Sequence, residues 1–243
     1  MNWTLALAHT RQLTRDRRAA MGVIGFPLLF LVLAMVGPVG SGDVSRFQLP
    51  GALFTALAAI ALYGTVLPTA ELRRRGTLRL LSTTPLTRRA LLFSLAPLRL
   101  VLAAAFIVLN CAVSVAYGYL EVSRLPGLVL TSAVGLAFLL ALGFVFAAVL
   151  TSAETSETVL TILVIAIIFI GDAVVPLSML PAGVADVLQW LPPALITGAL
   201  RWELVGMEPP HPEWVTWAIG AGGALLLGAL AVRVFRWDDG SSS

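Results

Sequence analysis

Lysine does not occur in this 243-residue chain, so all 16 basic residues are arginines. That absence removes two chemistries. A phosphate-binding loop of the form G-x-x-x-x-G-K-[ST] cannot be built, and neither can a lysine Schiff base. The chain therefore cannot hydrolyse ATP by the P-loop route. Cysteine is nearly absent too: the single Cys111 sits in an apolar run and has no partner for an internal disulfide. The two histidines, His9 and His211, lie too far apart in sequence for a metal-binding spacing. G-x-S-x-G, H-E-x-x-H and paired intramembrane aspartates are also missing, and with them the usual hydrolase and protease signatures.

Charged residues make up only 12% of the chain and hydrophobic residues 58%, which leaves too little polar surface to coat a water-soluble globule. The fold class is all-α and polytopic. A bilayer crossing needs about 20 mostly apolar residues. Six stretches qualify, at residues 20–37, 51–70, 98–117, 127–150, 157–175 and 214–232. Assigning the connections alternately puts arginines 11, 15, 17, 18, 73, 74, 75, 79, 88, 89, 99, 233 and 236 on one side and only 46, 124 and 201 on the other. Under the positive-inside rule the first set is cytoplasmic, so both termini face the cytoplasm of a multi-pass cell-membrane protein. Residues 1–19 contain no apolar core long enough for a signal peptide. On a helical wheel Trp3, Ala6, Leu7, Thr10 and Leu13 share one side, which predicts an N-terminal amphipathic helix at the interface. Residues 233–243 form a cytoplasmic tail beyond the 20–232 transmembrane domain.

Two connections carry more than a turn. The cytoplasmic loop 71–97 is long and basic. Leu78, Leu80 and Leu81 gather on one side of a short helix from Thr77, and Ser82, Thr83, Thr84 and Pro85 close it. The outer connection 176–212 remains apolar, but prolines 176, 181, 192 and 193 cut it into pieces of about ten residues, too short to cross. Such pieces dip into the membrane and return, or lie at its outer interface. Small residues recur every fourth position at Ala133, Ala137 and Ala141 in the fourth span and at Gly220, Ala224 and Gly228 in the sixth, a spacing that suits close helix packing or dimerisation. Asp172 is the acidic residue well inside a predicted span, three positions from its outer end. It is either a proton carrier or a solvated carboxylate at the start of the outer loop.

The run E-L-R-R-R-G-T-L-R-L-L-S-T-T-P-L-T-R from Glu71 to Arg88 resembles the loop motif of ABC-2 type exporter permeases, of the daunorubicin-resistance kind. It matches that motif, E-x-x-x-G-T-[LI]-E-x-L-x-x-[TS]-P-[LVI]-[ST]-R, at Glu71, Gly76, Thr77, Leu78, Leu81, Thr84, Pro85, Thr87 and Arg88, with Arg79 where glutamate is frequent. A second segment, residues 142–201, is similar to the family's outer hairpin ahead of the last helix, with Pro176, Leu180, Pro181 and Pro192 in place. The resemblance implies a six-span permease whose loop after the second span holds a coupling helix. That helix docks on a separate ATP-binding subunit, present twice per complex and carrying the ATP and magnesium. Glu71, Arg73, Arg74, Arg75, Gly76, Thr77, Leu78, Leu81, Thr84, Pro85 and Arg88 are then the candidate coupling residues. A second permease chain, identical or homologous, and the lipid bilayer are the other expected partners, and nucleic acid is not among them. The cargo implied is a hydrophobic or amphipathic molecule such as a drug, peptide or lipid-like compound. An alternative is a self-sufficient proton-coupled secondary transporter that uses Asp172.

Overall fold

The computed structural model describes residues 21–36, 42–74, 96–150 and 153–234, and every regular element among them is helical. The expected N-terminal helix and most of the coupling loop, from Arg75 through Arg88, lie outside the described residues, as does the tail beyond residue 234. In chain order the α-helices are α1 (Phe26–Val36), entered through a π-helical turn at Met21–Gly25, then α2 (Gly42–Arg74), α3 (Ala96–Ala116) and α4 (Leu125–Val149). They are followed by α5 (Ala153–Ile170), α6 (Ala182–Leu188), α7 (Pro192–Val205) and α8 (Glu213–Val234). An apolar helix stands at each of the six predicted spans. Four of these helices are long and apolar enough to cross a membrane, within Arg46–Arg74, Leu98–Ala116, Val122–Val149 and Glu213–Val234. The first and fifth are shorter, at Met21–Met35 and Thr155–Ile170. At about 1.5 Å per residue they extend roughly 23 Å against a hydrocarbon core of about 30 Å.

α2 is the axis of the bundle. It touches α1, α3, α4, α5 and α7, and 94% of its apolar window is buried within the protein, against 17% for α8. An apolar surface on every side is what such a position requires, and Leu53, Phe54, Leu57, Ile60 and Leu62 all have no exposed surface. The helix runs well past the predicted 51–70, from Gly42 to Arg74, with Pro50 and Pro68 inside it. Successive long helices alternate in direction. The C-terminal turns of α2 and α4 therefore meet at one end of the bundle, where α3 also begins. The end of α5, the start of α8 and all of α6 belong to the opposite end.

The connection between α5 and α8 departs most from expectation. α5 stops at Ile170 rather than running to residue 175, because Gly171 through Val175 form turns. After a 3-10 turn at Leu177–Met179 comes α6, which exposes Val184 and Val187. α7 then forms a 14-residue helix, longer than the proline spacing suggested. Pro192 and Pro193 fall in its first turn, where a missing N–H costs nothing. Gly206 ends it at φ 72°, donating its N–H to Trp202 O. Between these points the side chains from Pro193 to Leu204 are buried apart from Trp202. α7 touches α2, α3, α4, α5 and α8. It is thus a core element of the bundle.

Candidate functional site

The end where α2 and α4 terminate carries the described part of the coupling segment. A helix leaves its last carbonyls without intrahelical donors and concentrates partial negative charge there. Arg73 meets that need for α4: its Nη1 donates to Leu150 O at 2.7 Å and to Ala147 O at 3.3 Å, and its Nη2 donates to Ala147 O at 3.3 Å. Arg73 is buried, so this candidate coupling residue points into the bundle. One residue on, Arg74 is 67% exposed and forms a two-pronged ion pair with Glu71, 2.8 Å on each arm. Glu71 and Arg74 thus form the exposed polar face that precedes the loop.

Arg99, one turn into α3, is a cation that spacing rules do not single out. It is buried and reaches across to α2, where its Nε donates to Gly64 O at 3.1 Å and its Nη2 donates to the same oxygen. The reason is legible in α2. In an α-helix the carbonyl of Gly64 accepts from residue 68, and residue 68 is proline, which has no N–H. The guanidinium supplies the donor the helix lacks, as orphaned carbonyls in an apolar environment require. Its plane also lies over the Phe144 ring of α4, 5.9 Å from the centroid. On either side of Pro68, the Thr65 and Thr69 hydroxyls donate back to Ala61 O and Thr65 O, which satisfies both hydroxyls within the helix.

At the opposite end Asp172 lies outside α5, in the turn that follows it. Ala173 N–H bonds Ile168 O, and Asp172 has φ 55°, a left-handed position usually given to glycine. Its carboxylate accepts from Leu177 N–H at 2.7 Å and from Arg201 Nη1 at 2.7 Å, and its own carbonyl accepts Arg201 Nη2 at 2.6 Å. Arg201 also lies over the Phe47 ring of α2. Its pairing links the turn after α5 to α7, with Pro176 beginning the 3-10 turn that follows, Leu180 and Pro181 leading into α6, and Pro192 opening α7.

Two turns of polar contacts nearby escaped the sequence reading. Glu203 on α7 has no exposed surface. Its Oε1 accepts from Thr131 Oγ1 at 2.5 Å, and Trp217 Nε1 donates to the same hydroxyl at 2.9 Å, so α7, α4 and α8 are joined through three side chains. A Cβ at Gly127 would sit 3.0 Å from Glu203 Oε1, which leaves glycine as the residue that lets the carboxyl approach. The available signal was an acidic residue in an apolar stretch, obscured because residues 176–212 read as an outer connection.

The small-residue stripes divide. Gly220 faces Val134, and a Cβ there would come within 2.6 Å of Val134 Cγ1, while Gly223 meets Phe138 in the same way at 3.0 Å. These glycines let α8 lie against α4. Ala141 is buried and Ala224 half-buried, whereas Ala133 and Ala137 face outward and a Cβ at Gly228 would meet nothing.

The arrangement defines a polytopic α-helical membrane protein. A family model described as ABC-2 family transporter protein matches residues 38–233, and the chain belongs to that family. No curated protein matches the chain.

Proposed function

We propose that the chain is the membrane subunit of an ATP-driven exporter, paired with a second permease chain and with two copies of a separate ATP-binding subunit. Membership of the ABC-2 family is the observation that carries this reading. The missing lysine agrees with it, since these 243 residues hold no P-loop and ATP would be hydrolysed outside them. Residues 71–97 are the docking segment in this reading, on the cytoplasmic side, with Glu71 and Arg74 at its exposed beginning. Arginine forks suit carboxylates and carbonyls on a protein partner. The cargo in this reading is a hydrophobic or amphipathic molecule that enters from the cytoplasm or the inner leaflet, since apolar spans with so few charged residues offer little to a strongly charged one.

The test is co-expression with a candidate ABC-type ATP-binding subunit from the same genome, followed by purification and reconstitution. A stable complex that takes up an amphipathic dye into inverted vesicles only with ATP supports the exporter reading. A chain that binds no ATPase, or that moves dye on a proton gradient without ATP and loses this on Asp172→Asn, supports the secondary-transporter alternative. The two-sided grip of Arg201 and Leu177 on Asp172 favours a structural role for that carboxylate.

A further inference from the structure

The two helices that flank residues 75–95, the docking loop in this reading, are each tied to a neighbouring helix by a buried arginine. Two residues before it, Arg73 holds the terminal carbonyls of α4. Four residues after it, Arg99 holds the mid-helix carbonyl that Pro68 frees in α2. We propose that Arg73 and Arg99 are positioning residues that carry displacement of this loop into the membrane, Arg73 by pulling on α4 and Arg99 by tying α3 to α2 at its proline. This rests on the exporter reading and adds to it the route by which a docked ATPase moves the helices.

Three features of the contacts suit them to transmission. The acceptors are backbone oxygens, so force on either guanidinium acts on the helix itself and not on a flexible side chain. Each arginine crosses between helices, from α2 to α4 and from α3 to α2, so the loop's two ends act on three spans. The acceptors also lie at places where the helical ladder is already interrupted, at the end of α4 and below Pro68, and helices deform there most readily. Arg73 therefore acts inside the bundle, while its neighbours Glu71 and Arg74 remain on the exposed face.

The experiment uses, in nanodiscs, the complex with the ATP-binding subunit that co-purifies with the chain. Spin labels are attached through Val115→Cys on α3 and Val129→Cys on α4, in a Cys111→Ala background. Both positions are 60% exposed at the end of the bundle far from the loop, and labelled chain is diluted with unlabelled chain so that distances within one chain dominate. In the parent complex, trapping with ATP and vanadate should shift the label distance by several ångströms. Arg73→Lys and Arg99→Lys keep the charge and lose the fork. They should keep ATP hydrolysis and co-elution but lose most of that shift. Pro68→Ala restores an N–H to the Gly64 carbonyl. In Arg99→Gln/Pro68→Ala the melting temperature should therefore recover while the shift stays lost. Recovery of the shift together with the melting temperature overturns the proposal, because Arg99 would then serve only to fill a hydrogen bond. A full shift in both lysine variants overturns it as well, as does a parent complex that hydrolyses ATP without any shift. A chain that binds no ATPase overturns the exporter reading, and the proposal with it.

Discussion

Arg201 grips Asp172 twice, through the carboxylate at 2.7 Å and through the backbone carbonyl at 2.6 Å. One guanidinium thus binds both the side chain and the backbone carbonyl of Asp172, the left-handed residue in the turn after α5. The two side chains are 11% and 16% exposed, so the pair is largely out of water. Removing one partner of such a pair leaves the other uncompensated, at a cost of about 3 kcal/mol. We expect Arg201→Gln to lower the melting temperature of the detergent-purified protein markedly. Asp172→Asn should be milder, since asparagine tolerates positive φ and still offers an oxygen to Leu177 N–H. Equal losses in the two variants would show that the charge matters more than the turn.

Gly51 tests the contact between α2 and that same turn. A Cβ on Gly51 would overlap the carbonyl oxygen of Ala173, and backbone cannot yield as a side-chain tip can. Gly51→Ala should cost about 1–3 kcal/mol through forced displacement, read as lost thermal stability and a smaller monodisperse fraction. A variant with an unchanged melting temperature would mean that the turn moves freely away from α2.

How far the sequence foretold this architecture depended on whether a signal was local. The apolar runs placed a helix at each of the six predicted spans, because burial in lipid or core needs only composition, and left α6 and α7 unplaced. Helix ends were less clear: α5 ends at residue 170, and the turn that follows is held through Asp172 by Arg201, 29 positions away, a contact that no window around residue 172 contains. α7 lay within a connection that read as short pieces dipping into the membrane or lying at its outer interface, because prolines 176, 181, 192 and 193 divide it and Arg201 was counted on the outer side. Pro192 and Pro193 open the helix, and the arginine is neutralised by a partner. At the basic end, the arginine run was legible as a cluster but not as a division of labour. On a helix, Arg73 and Arg74 point about 100° apart, and only the position of α4 decides which one turns inward. The pairing of Pro68 with Arg99 was open to inference in principle, since an interior proline announces a carbonyl four residues earlier that needs a donor.

The glycines of α8 give a paired comparison within one helix. Gly220→Val places branched atoms where a Cβ alone would already lie 2.6 Å from Val134 Cγ1, so α8 must separate from α4. Overpacking of this kind costs about 1–3 kcal/mol. Gly228→Ala meets nothing and removes a flexible residue from a helix, which should be neutral or stabilising by about 0.5–1 kcal/mol. Thermal unfolding of the two variants should move in opposite directions or leave Gly228→Ala unchanged. If Gly228→Ala instead disrupts a purified complex of two permease chains, that stripe belongs to the contact between them.

The compensation between Pro68 and Arg99 can be measured as an interaction energy. With proline at 68, removing the guanidinium by Arg99→Gln leaves the buried Gly64 carbonyl without its donors, a loss of about 1–3 kcal/mol. With alanine at 68 the helix supplies its own N–H, and the same Arg99 change should cost less. The four proteins of the cycle, compared by denaturation in mixed micelles, should therefore show non-additivity of about 1 kcal/mol or more, of the sign that makes Arg99 matter most when residue 68 is proline. Strict additivity would mean that the carbonyl is satisfied some other way and that Arg99 stabilises the bundle through Phe144 and its own packing alone. A positive result would explain why a full guanidinium is retained in an otherwise apolar part of the bundle. An arginine there is costly by itself, and it becomes favourable once an adjacent helix contains a carbonyl that nothing else can reach.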